Sequence, residues 1–240
     1  MKFETSPIAP ATIIGLCLMG AAAIGAYSFF RVHTLDNILS VTGSATQDAT
    51  ADSAKWTVSI SRSTYESELA GTQNRVSSDA KQVSDFFVKG GIEKANITTS
   101  PVFVDREYSS DQNAPLRFMV RTDITVESDK PELIEKLSKE IGTLTARGVV
   151  VSAQMPQYYI SNLPELRVSL IGKAVQDAKA RAEQIAQSTG RGVGALQSAS
   201  GGVVQVLASN SVDISDYGNY DTSTIDKKVM VTARATFYLR

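Results

Sequence analysis

Two residue types that carry much of enzyme chemistry are nearly missing from this 240-residue chain, which holds one histidine, His33, and one cysteine, Cys17. Ser–His–Asp and Cys–His catalysis and histidine metal ligation have no material to work with. A disulfide framework and a thiolate metal site are excluded on the same count. An excess of charge is missing too, since 24 Lys and Arg stand against 25 Asp and Glu. No basic stripe with interleaved aromatics occurs, so the chain has no field to gather nucleic acid and is not expected to bind it. Asp and Glu are scattered without convergence. No catalytic, cofactor-binding or metal-ligating set is therefore assigned, and the chain is read as no enzyme.

The most local absence is the most informative one. Between Thr5 and Phe30 there is no charged residue, and a helix of roughly 20 apolar residues at about 1.5 Å rise each spans a hydrocarbon core. Ile13, Ile14, Leu16, Leu18, Ile24, Phe29 and Phe30 are read as membrane-anchor side chains, with Tyr27, Phe29 and Phe30 at the interface before Arg31. The expected layout is a cytoplasmic stub at 1–6, a transmembrane anchor at 7–30, a linker at 31–38 and a domain at 39–240. A cleaved secretory signal is the competing reading, because Ala21-Ala22-Ala23 offers small residues for a peptidase. Against it, Met1-Lys2-Phe3-Glu4 carries almost no net positive charge and apolar character continues past the alanines. Cys17 follows bulky Leu16, which speaks against a lipoprotein. A long C-terminal domain is translocated regardless of its charges, which places it outside the cytoplasm.

Beyond the linker, periodicity assigns the elements. Leu39–Ala45 reads as a short strand. Trp56, Val58 and Ile60 alternate with Thr57, Ser59 and Ser61, as in a half-buried strand. From Glu66 the period lengthens: Leu69, Val76, Ala80, Val83 and Phe87 stack on one side of a helix that Gly90-Gly91 ends. A strand around Val102, Val104, Arg106 and Tyr108 and another carrying Leu116, Phe118, Val120, Thr122, Ile124 and Val126 on one face flank a hairpin loop at Ser109–Asn113. Ser128-Asp129 and Pro131 start a helix with Leu133, Leu137, Ile141 and Leu144 inward, which Gly148 stops. Val149–Val151 leads a strand reaching Tyr158-Tyr159-Ile160. A long helix follows, with Leu163, Leu166, Leu170, Ala174, Ala178, Ala182 and Ile185 as its inner face. Strands at Val203–Leu207 and along Val229, Val231, Ala233, Ala235, Phe237 and Leu239 complete the chain.

The order strand, long helix, strand, strand thus occurs twice, over about 53–128 and 149–240. The expected fold is α+β: two βαββ units with antiparallel sheets covered by helices, joined by the Pro131–Arg147 helix, after one N-terminal transmembrane helix.

Three local features compete for a functional role. Gly190-Arg191-Gly192-Val193-Gly194 follows a helix and leads into a strand, the reverse of a phosphate-binding loop, and reads as a helix cap. Asp213, Asp216, Asn219, Asp221 and Asp226 could in principle hold calcium, yet their spacing fits no EF-hand and Lys227-Lys228 follow at once, so a solvated loop is expected. Tyr158 and Tyr159 are adjacent in a strand and face opposite ways, which puts one of them outward as a possible interface residue.

Taken in order, Val41-Thr42-Gly43-Ser44-Ala45 with Ala51–Trp56, Gly90-Gly91-Ile92 with Ile97-Thr98-Thr99, Tyr158–Leu163 leading into the alanine-rich helix, Gly190–Gly194 and Lys227–Arg240 resemble the SIMPL domain family (DUF541). The match runs from about Leu39 to Arg240. The resemblance implies a bacterial envelope protein with two α/β subdomains, some members forming large rings, and a link to oxidative or envelope stress. It implies no catalytic residues. The expectation is a single-pass protein of the bacterial inner membrane whose periplasmic domain forms a homo-oligomer or binds an envelope protein. The alternative is a small-molecule or metal-binding periplasmic protein that uses the cleft between the two βαββ units.

Overall fold

The computed structural model describes residues 8–34, 37–108, 115–211, 215 and 217–240. The expected hairpin loop at Ser109–Asn113 lies outside them, as do Asp213 and Asp216. Helix α1 (Ile8–Thr34) comes first. The chain divides into two compact units. One comprises the stretch up to Ser44 with Lys173–Gly202 and Thr232–Arg240, the other Ala45–Gly172 with Val203–Val231.

The alternation read from the sequence builds the larger unit. Strand β2 (Ser53–Tyr65) pairs antiparallel with β5 (Arg117–Ser128), with Trp56 opposite Val126, Val58 opposite Ile124 and Ile60 opposite Thr122. This register puts the buried apolar side chains of both strands on one face and leaves Met119 and Tyr65 exposed on the other. Helix α2 (Leu69–Lys89) covers that face with Val76, Ala80, Val83 and Phe87, all buried, after a 3-10 turn at Glu66–Glu68. Fully burying each such side chain contributes about 1.5–3 kcal/mol. Gly91 ends α2 at φ 101°, a left-handed conformation that glycine alone adopts without strain. Helix α3 (Pro131–Glu140) adds Ile134 and Leu137, and the short α4 (Gly142–Thr145) adds Leu144. Ile134 is fully buried while Leu133 is only half-buried, so the inner face of α3 is turned from the one expected. Trp56 packs edge-on against Phe87 with centroids 5.4 Å apart, and its indole N–H donates to the Gln154 carbonyl at 2.7 Å.

Two further strands lie along β5, β3 (Ile97–Thr99) and β4 (Phe103–Arg106), and two along β2, β6 (Val151–Ala153) and β7 (Gln157–Tyr159). β3 was not expected, and β4 is shorter than the strand read around Val102–Tyr108. All four residues of β4 are exposed. A three-stranded sheet is ordered β1 (Ile38–Thr50), β9 (Asp226–Leu239), β8 (Val193–Ala208). β1 and β8 are both longer than the expected Leu39–Ala45 and Val203–Leu207.

The α+β class, the antiparallel sheets and the N-terminal apolar helix are as expected. The pairing differs in the second repeat. Its opening strands β6 and β7 hydrogen-bond to β2 in the first sheet, while β9 takes β1 as neighbour. Once β5 occupies one side of β2, the other side is a row of unpaired donors and acceptors that the chain satisfies with β6 and β7.

Helix α5 (Leu163–Ser188) buries Leu170, Ala174, Ala178, Ala182 and Ala186. This stripe keeps a strict four-residue step to its end, so Ile185, expected inward, is 46% exposed and Ala186 takes its place. Within the smaller unit, Ala178 and Ala182 pack with Ala235 and Phe237 of β9 and Leu39 and Val41 of β1. Within the larger, Leu163, Leu166 and Leu170 pack with Val206, Val229 and Val231.

Candidate functional site

Tyr158 and Tyr159 face opposite ways, as strand geometry requires. Tyr158 joins the core and is 5% exposed, which removes it as a residue that a second chain could touch in this fold. Burial, with the nearby Glu135 carboxylate adding to it, pushes its phenol above the ordinary tyrosine range. Tyr159 is half-buried. Its hydroxyl donates to Gln157 Oε1 at 3.0 Å and its ring lies 5.9 Å from that of Tyr220. Of the two tyrosines, Tyr159 alone presents a surface.

Around this pair, three segments are tied by backbone bonds. The turn between β1 and β2 donates from Ala51 N to Ile225 O at 2.9 Å and from Asp52 N to Tyr159 O at 3.0 Å. Tyr158 N donates to Thr222 O at 2.8 Å, and Ile160 N to the Tyr220 hydroxyl oxygen at 2.8 Å. Asp52 accepts from Ser161 N at 2.8 Å and from Ser161 Oγ at 2.6 Å, fixing the residues that lead into α5. A carboxylate near a helix start also suits the helix dipole.

The acidic loop is organised by Asp221 and by Lys227. Asp221 accepts from Ser223 N and Oγ and from Thr224 N and Oγ1, the two hydroxyl bonds at 2.6 Å each. The Lys227 ammonium donates to the Asp221 carbonyl at 2.5 Å, stands 3.4 Å from its Oδ2, and lies 5.9 Å over the Tyr220 ring. Burial pushes the Asp221 carboxyl up, but the bonds from Ser223 and Thr224 and the Lys227 charge outweigh it, leaving the group well below the usual carboxylate range. Burial dominates at Lys227, whose side chain is wholly enclosed, and holds the ammonium below the ordinary lysine range. Asp221 thus spends its oxygens on the loop itself, and the cation beside it is a lysine of the same chain. Lys227 was not foreseen as buried. The alternation of β9 carried it: stepping back by two from Val229 places Lys227 on the inner face.

Next to Tyr159 opens a cleft of about 540 Å³ lined by, among others, Lys55, Lys130, Glu93, Glu127 and Asp129. Lys55 Nζ pairs with Glu127 at 3.2 Å. Charges of both signs line it, which suits a zwitterionic or polar group. Among the described residues no three His, Cys, Asp or Glu converge as metal ligands. The Gly190–Gly194 segment caps α5 and starts β8: Gly190 has φ 71°, and Gly192 exchanges two backbone bonds with Arg240 at 2.8 and 2.9 Å.

Helix α1 is of another kind. The stretch Thr12–Phe29, 18 residues with mean hydropathy 1.8, has no buried residue. Ile13, Ile14, Leu16, Leu18, Ile24 and Phe29 are 60–69% exposed. The side chain of Phe30 lies outside the described residues. At about 1.5 Å per residue the stretch is about 27 Å long, close to a hydrocarbon core.

The SIMPL family model, described as a protein of unknown function (DUF541), matches residues 39–237. No curated protein matches the chain.

Proposed function

That the chain belongs to the SIMPL family is the premise from which we propose that it is a non-enzymatic protein of the bacterial envelope, anchored in the cytoplasmic membrane by α1. Its domain from residue 39 onward stands outside the cytoplasm and there binds copies of itself or another envelope component, in a role tied to oxidative or envelope stress. One observation carries the proposal: large apolar side chains of α1, among them Leu16, Leu18, Met19 and Ile24, are 60–69% exposed, a cost that lipid removes at about 25 cal/mol per Å² of apolar surface. Tyr159, on the surface, is the residue this reading offers to a partner. A phosphatase fused after Arg240 should be active only if exported. Activity of a cytoplasm-dependent reporter at the same place overturns the topology.

A second reading, a small-molecule-binding protein, draws on the cleft beside Tyr159. Opposite charges from Lys55 and Glu127 within one opening suit a zwitterion. Calorimetric titration of free amino acids into the full chain tests it, and absence of heat across the set removes it.

A further inference from the structure

From Gly192 to Ser211 the chain has no charged residue and no proline, yet most of this stretch is strand β8, the last strand of its sheet. Sheet edges present unpaired N–H and C=O groups, and proteins ordinarily guard them with lysine, proline, a bulge or a cover. On β8 the C-terminal end has a cover. Val206 N donates to Asn219 O and Asp221 N to Val206 O, both at 2.7 Å, in a parallel bridge between Val206 and Tyr220. Gln205 adds side-chain bonds to Ser215 N and O at 3.3 and 3.0 Å. The N-terminal end has none among the described residues, and every residue from 195 to 201 is exposed, so neither face nor edge is shielded there.

Resting on the self-associating reading above, we propose that the open edge at 193–202 is where two copies of this chain join, by antiparallel pairing of their β8 strands. The strand is complementary to itself. Centred on Ser198, which then faces its own copy, a two-fold pairing sets Gln197 against Ala199, Leu196 against Ser200, Ala195 against Gly201 and Gly194 against Gly202. No like charges meet, and the only large apolar side chain, Leu196, which is 48% exposed, faces a small one. Such an isologous contact closes at two subunits. Few side chains contribute, so the affinity is modest in dilute solution; two chains anchored in one bilayer gain effective concentration that makes a modest contact sufficient.

The test uses the full chain in lipid nanodiscs and detergent, with Cys17→Ser as background and single cysteines introduced at each position from 194 to 201. Self-cross-linking should peak at position 198, where the two-fold axis brings a residue against its own copy, and fall off on both sides. Ala199→Lys, which puts two like charges across the joint, should weaken dimerisation about tenfold or more, while Lys173→Ala, away from the edge, should leave it unchanged. Dimers that neither cross-link here nor respond to Ala199→Lys overturn this edge while leaving self-association intact. A chain that is monomeric in every bilayer and detergent condition overturns self-association itself and this edge with it.

Discussion

Gly43 of β1 stands so close to α5 that a Cβ built on it would lie 2.2 Å from the carbonyl oxygen of Ala174 and 2.3 Å from the amide nitrogen of Ala178. Both neighbours are helix backbone and have no rotamer by which to yield. The alanine stripe of α5 and this glycine together let a strand approach a helix nearly to backbone contact, and Ser44 N donates to Asp177 Oδ2 at 2.8 Å on the same face. Gly43→Ala should therefore destabilise the protein by about 3 kcal/mol, the upper end for overpacking. The midpoint of chemical denaturation checks it, with Gly71→Ala, which meets nothing within 4 Å in α2, expected to be neutral or slightly stabilising.

How much of this was legible follows from which faces the residues present. In β2, β5 and α2 one face is sealed and the other is wet, so periodicity alone located Trp56, Val58, Ile60, Val76, Val83 and Phe87 in the core. β4 and the first half of β8 are exposed on both faces, and with no inside to mark, their side chains carry no alternation. The turn of stripe from Ile185 to Ala186 was hidden because alanines fill a tight helix–strand seam where a larger residue cannot fit. The pairing of β6 and β7 with β2 depends on a non-local hydrogen-bond vacancy, which a pattern along the chain does not express. At the candidate site the tyrosine pair was visible, while Lys227, next to Lys228 at the end of a polar loop, shows its inward place only through the alternation of β9.

Arg62 and Asp79 join β2 to α2 inside the larger unit. Arg62 Nε donates to Asp79 Oδ2 at 2.7 Å and its Nη2 to the Gly148 carbonyl at 3.0 Å, with Asp79 6% exposed. Asp79→Ala strands a guanidinium beside a sheet, and the expected loss is about 2 kcal/mol, below the full range for buried pairs because Arg62 keeps contact with water. Arg62→Met with Asp79→Leu should recover most of it. A double-mutant cycle on denaturation midpoints reads the coupling, and additive losses would refute it.

Stability in alkali should rise and then fall. Lys227 is held below the ordinary lysine value, so between its folded value and about 10.4 the unfolded chain binds more protons and stability grows with pH. Tyr158 is held above its ordinary value, so above about pH 10 the folded chain retains a proton that the unfolded one has lost, and stability declines. Denaturation midpoints between neutral pH and strong alkali should show both limbs. Lys227→Met should flatten the rise and Tyr158→Phe the decline; a rise that persists in Lys227→Met would mean another group causes it.

The anchor reading makes the most direct demand on a single side chain. Leu18 lies in the middle third of Thr12–Phe29 and is 65% exposed on the helix. If lipid covers it, arginine there costs about 2.5–3.5 kcal/mol of insertion, whereas on a helix bathed in water the same change is close to neutral. Leu18→Arg should shift the full chain from the alkali-resistant membrane fraction toward soluble, degraded or mislocalised protein. Leu18→Ile should leave it in place. Separation of washed membranes from supernatant, quantified by immunoblot, distinguishes the two cases. A Leu18→Arg chain that stays as firmly membrane-bound as the parent would mean that α1 does not cross the bilayer at this depth.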